Sequence, residues 1–255
     1  MKISANSIFS KTSAAILVFL FLAMPLRSAP QTTGEIRLKE ARGNPARIVM
    51  PDGSTPPVRV QDVIPEGALV KTPENSFLSL LFANGAVLAI KPSSEILISR
   101  FTSAGAVDLG NPNVGHAATE TSQSSTRLDL KSGLILLDIP RLAPKSQFEI
   151  STPLGIAGIR GTRLYVLAQK NRGAVGVASG RVLATSLFGE TQNLGPGQAI
   201  GLTATGLVPP TSGEMSLIRK LDSFGVPLPN PAPEPAQIPS QKTAPQSRAT
   251  YKTSE

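Results

Sequence analysis

Residues 147–169 read QFEISTPLGIAGIRGTRLYVLAQ. Apolar and polar residues alternate through FEIS (148–151), stop at Thr152-Pro153, and alternate again through RLYVLAQ (163–169). A period of two means a pleated strand with one face turned inward. Pro153 fixes φ at the end of the first strand. Gly155, Gly158 and Gly161 permit tight bends or close backbone approach between the two. The segment therefore predicts two strands joined by a crowded, glycine-rich reversal.

The neighbouring sequence reads the same way. GEIRLKEA (34–41), SFLSLLF (76–82), EILISRF (95–101) and STRLDL (125–130) all alternate. Turn chemistry separates them at Pro51-Asp52-Gly53, Ala83-Asn84-Gly85, Lys131-Ser132-Gly133, Ser179-Gly180 and Gly195-Pro196-Gly197. Asn84-Gly85 predicts a tight hairpin, since both residues tolerate positive φ. Glycine followed by alternating apolar residues recurs from GALVKT (67–72) and GAVLAI (85–90) to GRVLAT (180–185) and GQAIGLT (197–203), at drifting spacing. A strict period would mean a regular solenoid. The drifting one predicts an all-β domain over 34–206, either an irregular β-solenoid or roll of short strands or an ordinary sandwich.

Three segments fall outside that pattern. The Ser/Thr/Asn/Gly-rich run 102–124 reads as a long exposed loop. A helix is predicted over 211–225: Ser212 caps it, and Met215, Leu217, Ile218, Leu221 and Phe224 form an apolar stripe that must dock. Residues 226–255 are dominated by proline and polar side chains and are expected to be disordered.

Residues 1–29 carry Lys2 and Lys11, then AAILVFLFLAM (14–24), then Pro25 and small residues. An apolar run of eleven residues is short of the ~20 that span a bilayer, so a secretory signal cleaved after Ser28 or Ala29 is expected. An uncleaved anchor is the rival. The chain is then periplasmic or secreted, and touches the membrane only if the leader stays.

Composition narrows the chemistry. There is no cysteine, which removes disulfides and thiolate chemistry. The sole histidine, His116, sits in a polar run and reads as a solvated loop residue, so no metal site and no cofactor are expected. Removing Lys2, Lys11 and Arg27 from 25 basic residues leaves 22 against 17 acidic, a net of +5 spread along the chain. With no Trp and two Tyr to stack on, nucleic acid is not an expected partner. Asp129 and Asp138 flank a strand pair, but nothing marks a cleft between them, and both read as solvent-facing. No catalytic motif is present, and an enzyme is not expected.

The run Thr152-Pro153-x-Gly155-x-Ala157-x-x-Arg160-Gly161-Thr162 resembles the signature of the FecR-like domain family. The blocks 58–98, 133–153 and 175–202 resemble the family's remaining parts, so the resemblance covers about 34–202. It implies an extracytoplasmic, β-rich domain used for protein contact or envelope binding. The family's type members, iron-dicitrate regulators, add a cytoplasmic anti-sigma region and a membrane helix. A leader at the start of this chain leads us to expect that the anti-sigma region is lacking. The partner is then another envelope protein or a cell-wall polymer, contacted without catalysis. The alternatives are a structural envelope component and, less favoured, a carbohydrate-active enzyme on a β-solenoid.

Arg160 is the candidate binding residue. Its planar five-donor fork suits a carboxylate or phosphate. The competing reading has Arg160 satisfy turn carbonyls and an internal carboxylate, with Thr162 bonding the same turn, and is preferred because most side-chain hydrogen bonds go to backbone. The signature as a whole is expected to be structural.

Overall fold

The computed structural model describes residues 32–105, 109 and 119–222. The leader, His116, Phe224 and the 226–255 tail lie outside them.

The alternating segments form strands β1 (Thr32–Thr33), β2 (Ile36–Gly43), β3 (Arg47–Val49), β4 (Leu69–Thr72), β5 (Ser76–Phe82), β6 (Val87–Ile90) and β7 (Ser94–Ser103). They continue as β8 (Ser124–Asp138), β9 (Gln147–Thr152), β10 (Gly155–Ala168), β11 (Gly173–Ser186), β12 (Thr191–Leu194), β13 (Ala199–Thr203) and β14 (Gly206–Val208), followed by helix α1 (Ser212–Asp222). The fourteen strands among the described residues join one sheet whose main path runs β14-β13-β11-β10-β9-β8-β6-β5-β2. Its ends, β14 and β2, do not pair with each other, so the sheet is open rather than a closed barrel. The all-β class read from the sequence is what the structure has.

Three long strands fold this sheet onto itself. The first part of β8 pairs with β7 and, in parallel, with β9; its last part pairs with β6 and β10. The first part of β10 pairs with β9 and the end of β11, and its last part with β8 and the start of β11. Each long strand bends at a glycine with positive φ: Gly133 at 100°, Gly161 at 62° and Gly180 at 84°. The sequence predicts turns at Lys131-Ser132-Gly133 and Ser179-Gly180. The structure instead continues β8 and β11 through both sites, because a bend within a strand uses the same residue type as a turn between strands.

Two half-sheets result. Layer one holds β1, β3, β4, β7, β9, β12 and the adjoining parts of β8, β10 and β11. Layer two holds β2, β5, β6, β13, β14 and the rest of the long strands. Their facing residues form the main core, in which Ile96, Leu128, Ile150 and Ile159 meet Leu80, Leu88, Leu164 and Val175. Phe82 of layer two stands edge-on to Phe101 of layer one, with centroids 5.1 Å apart at 84°, and 6.4 Å from Phe148. Such a ring pair adds about 1 kcal/mol beyond the area it buries.

The outer face of layer two is also apolar, and α1 covers it. Ile218 and Leu221 pack with Tyr165, Leu136, Ala89, Ala174 and Ala199 in a second cluster. A Cβ at Gly176 would lie 2.1 Å from the Tyr165 ring, so only glycine lets that ring lie against β11. Thr211, rather than Ser212, caps the helix. The Glu214 N–H donates to Thr211 Oγ1 (3.2 Å), and the Thr211 N–H donates to Glu214 Oε2 (2.7 Å). This reciprocal pair is the capping box of Thr-x-x-Glu.

The Asn84-Gly85 hairpin forms, but by a different route from the one predicted. Gly85 alone has positive φ, at 88°. Asn84 is buried instead, its amide donating to Ser124 Oγ (3.1 Å) and its Oδ1 accepting from the Ala86 N–H (3.2 Å).

Candidate functional site

The signature segment divides into a turn, a strand and a bend. Thr152 Oγ1 donates to the Gly155 carbonyl (2.9 Å) and accepts from the Leu154 N–H (3.2 Å), closing the reversal between β9 and β10. Pro153 is exposed at its tip. A Cβ at Gly155 would meet the Thr185 carbonyl at 2.4 Å, so β11 packs directly on that glycine. At the other end lie the Gly161 bend and a register shift between β10 and β11. Thr162 secures both: its Oγ1 donates to the Arg181 carbonyl (2.8 Å) and accepts from the Arg181 N–H (3.1 Å). The Thr162 backbone exchanges two further bonds with Ile139.

Arg160 does not take the internal role preferred for it from the sequence. It is exposed and outward-facing, with no ion pair among the described residues. The internal ion pair belongs to Arg163, 3% exposed, whose Nη2 lies 3.0 Å from Asp138 Oδ2. Three residues along a strand reverse the facing, so Arg160 looks out from layer one and Arg163 lies on the helix side of layer two, near Leu221. The alternation in RLYVL shows that Arg163 shares a face with Tyr165, but not that a helix covers that face.

Asp129 and Asp138 are not simply solvent-facing either. Asp138 is held by Arg163. Asp129 accepts hydrogen bonds from Ser99 and Ser151 on layer one. Burial opposes its ionisation, and the bonds from Ser151 and Ser99 with the nearby Lys131 and Arg127 outweigh that, holding its carboxyl below the usual range. The two carboxylates stand on different layers and form no acid/base pair.

What the outward face of layer one does bring together is arginine. One lateral row crosses six adjacent strands through Arg100, Arg127, Glu149, Gly158, Leu183 and Asn193. Arg160 and Arg181 stand two residues further along β10 and β11, directly opposite each other. These residues line an open groove of about 690 Å³. Within it Arg127 pairs with Glu149 at 3.1 Å. Arg100, Arg160 and Arg181 have no ion pair among the described residues. Two like-charged pairs, Arg100 with Arg127 and Arg160 with Arg181, are cross-strand neighbours, an arrangement that disfavours the sheet. Leu183 is 42% exposed beside them. Sequence reasoning singled out Arg160 alone. The other three arginines are 20–60 residues distant in the chain, and only strand register collects them.

Residues 68–183, which include every arginine of this groove, match the family model described as FecR protein. Two crystal structures of candidate anti-sigma factors from Parabacteroides distasonis ATCC 8503 are similar in fold. One shares 12% identity at a TM-score of 0.40, over 55% of this chain and 57% of that one. The other shares 13% at 0.44, over 60% and 64%. The chain thus spans less than two thirds of either structure. No curated protein matches the sequence.

Proposed function

From the match of residues 68–183 to the FecR family model we propose that the chain is a non-catalytic interaction or sensing module that works outside the cytoplasm. It contacts an envelope protein or polymer through the outward face of layer one. The observation that carries this reading is the arginine groove, where three guanidiniums with no ion pair among the described residues and two like-charged cross-strand pairs stand on an open sheet face. Such a face costs the free protein stability, and an anionic partner relieves the cost. The leader-like 1–29 segment supports export.

The test is a photo-crosslinking amino acid placed in cells at Leu183, in the groove, or at Arg219, exposed on α1. Discrete adducts at position 183 alone, in the fraction released by osmotic shock, are expected. Full-length protein confined to the cytosol, or the same adducts from both positions, overturns the reading.

A further inference from the structure

Gly158 has no structural reason to be glycine. It lies within β10, paired with Glu149 on one side and Leu183 on the other. Its φ is not positive, and the nearest atom to an added Cβ is the Leu183 carbonyl at 3.9 Å, an ordinary contact. A glycine inside a strand weakens it unless something approaches the backbone there. What Gly158 does is leave the floor of the arginine groove open, between Arg127 and Glu149 on one side and Arg160, Arg181 and Leu183 on the other.

The occupant has to satisfy three features at once. The cations are all arginine, whose forks take carboxylates in pairs. An exposed aliphatic side chain of the groove lining stands among them, Leu183 at 42%, and Ile156, at 40%, lies two residues along β10 from Gly158. The row from Arg100 to Asn193 crosses six strands, about 24 Å at the usual strand spacing, the length of about seven residues of extended peptide. Aliphatic side chains beside arginines serve nucleic acid poorly, since bases stack on exposed rings and the ring in the groove lining, Phe148, is buried. They do serve a peptide whose acidic and apolar side chains alternate. The chain's own 226–255 segment does not complement the groove, because its three basic residues outnumber its two acidic ones.

We propose that the groove binds an extended acidic peptide segment of a partner protein, laid across β7 to β12 with its backbone over Gly158 and its carboxylates on Arg100, Arg160 and Arg181. This rests on the reading of that face as a contact surface and adds the chemistry of the partner.

The experiment pans a displayed library of random heptapeptides against the full purified chain and measures the selected peptides by fluorescence anisotropy. Selected peptides should be rich in Asp and Glu interspersed with aliphatic residues. Arg160→Glu combined with Arg181→Glu should weaken them by at least ~10-fold, as should raised salt. Gly158→Val should do the same by filling the floor while keeping the melting temperature of the parent, which separates loss of binding from loss of fold. Heparin and polyphosphate should displace the peptides only weakly. The proposal is overturned by selected peptides without acidic residues, by equal binding to both altered chains, or by heparin or polyphosphate binding more tightly than any peptide. Adducts at position 183 in cells together with failure here would leave the contact surface standing and remove the acidic peptide.

Discussion

At Gly161 a Cβ would lie 2.7 Å from the Cα of Arg141, and φ is 62°. Neither the backbone neighbour nor the left-handed conformation can yield to a branched side chain. Gly161→Val should therefore cost more than ~2 kcal/mol in urea denaturation, whereas Gly158→Val should leave the midpoint where it is or raise it. Equal losses at the two positions would show that the signature glycines are interchangeable. The arginines divide in the same way. Arg163→Ala leaves the Asp138 carboxylate partly buried without its ion-pair partner and should cost about 3 kcal/mol. Arg160→Ala should change stability by less than ~0.5 kcal/mol, since its side chain is exposed, has no ion pair among the described residues and stands opposite a like charge. The composition of the signature was legible as a crowded reversal. Which glycine bears strain and which arginine goes inside was not, because both depend on the β11 and 139–141 backbone that packs against them.

Helix α1 shows how local signals and tertiary ones combine. Of the apolar stripe that predicts it, Ile218 and Leu221 are buried and Met215 and Leu217 partly so, and Thr211-Ser-Gly-Glu214 already spells a capping box. The sequence could not show that Glu214 would also be clasped by Arg172, with Nε to Oε1 at 2.6 Å and Nη2 to Oε2 at 2.9 Å, or that Tyr165 would donate to the Glu214 carbonyl at 2.8 Å. Burial opposes ionisation of Glu214, but the bonds from Arg172 and Thr211 outweigh it and hold the carboxyl below its ordinary value. A depressed folded value means that the ionised group stabilises the fold above the unfolded value of ~4.3 and that this contribution fades as pH falls through the folded one. Glu214→Gln should thus lower the melting temperature by ~4–8 °C at pH 7, about 2 kcal/mol, with the gap closing below pH ~4. A gap that persists at pH 2 would assign the stabilisation to packing rather than charge.

Across the whole molecule, the two faces of the folded sheet have opposite characters. Alternation along β8, β10 and β11 was enough to predict a half-buried sheet, but both faces of layer two are apolar, and only one of them meets the main core. The outer one needs α1. Ending the chain at Pro210 uncovers Tyr165, Leu136 and Ala174, together with the Arg163–Asp138 pair beside Leu221. Losing the burial of Ile218 and Leu221 alone, at ~1.5–3 kcal/mol each, should lower stability by more than ~3 kcal/mol and raise binding of a hydrophobic dye. A chain ended at Gly225 keeps all of α1, and the Pro-rich composition beyond it offers no further apolar stripe, so its stability should match the full chain within ~1 kcal/mol. The arginine groove is on the opposite layer, with the main core between. In the Pro210 chain, any fraction that stays folded should therefore bind groove ligands as the parent does. Dye binding and peptide binding measured on that one truncated protein decide the matter: if both change together, the two layers respond as one body rather than as a scaffold with a separable face.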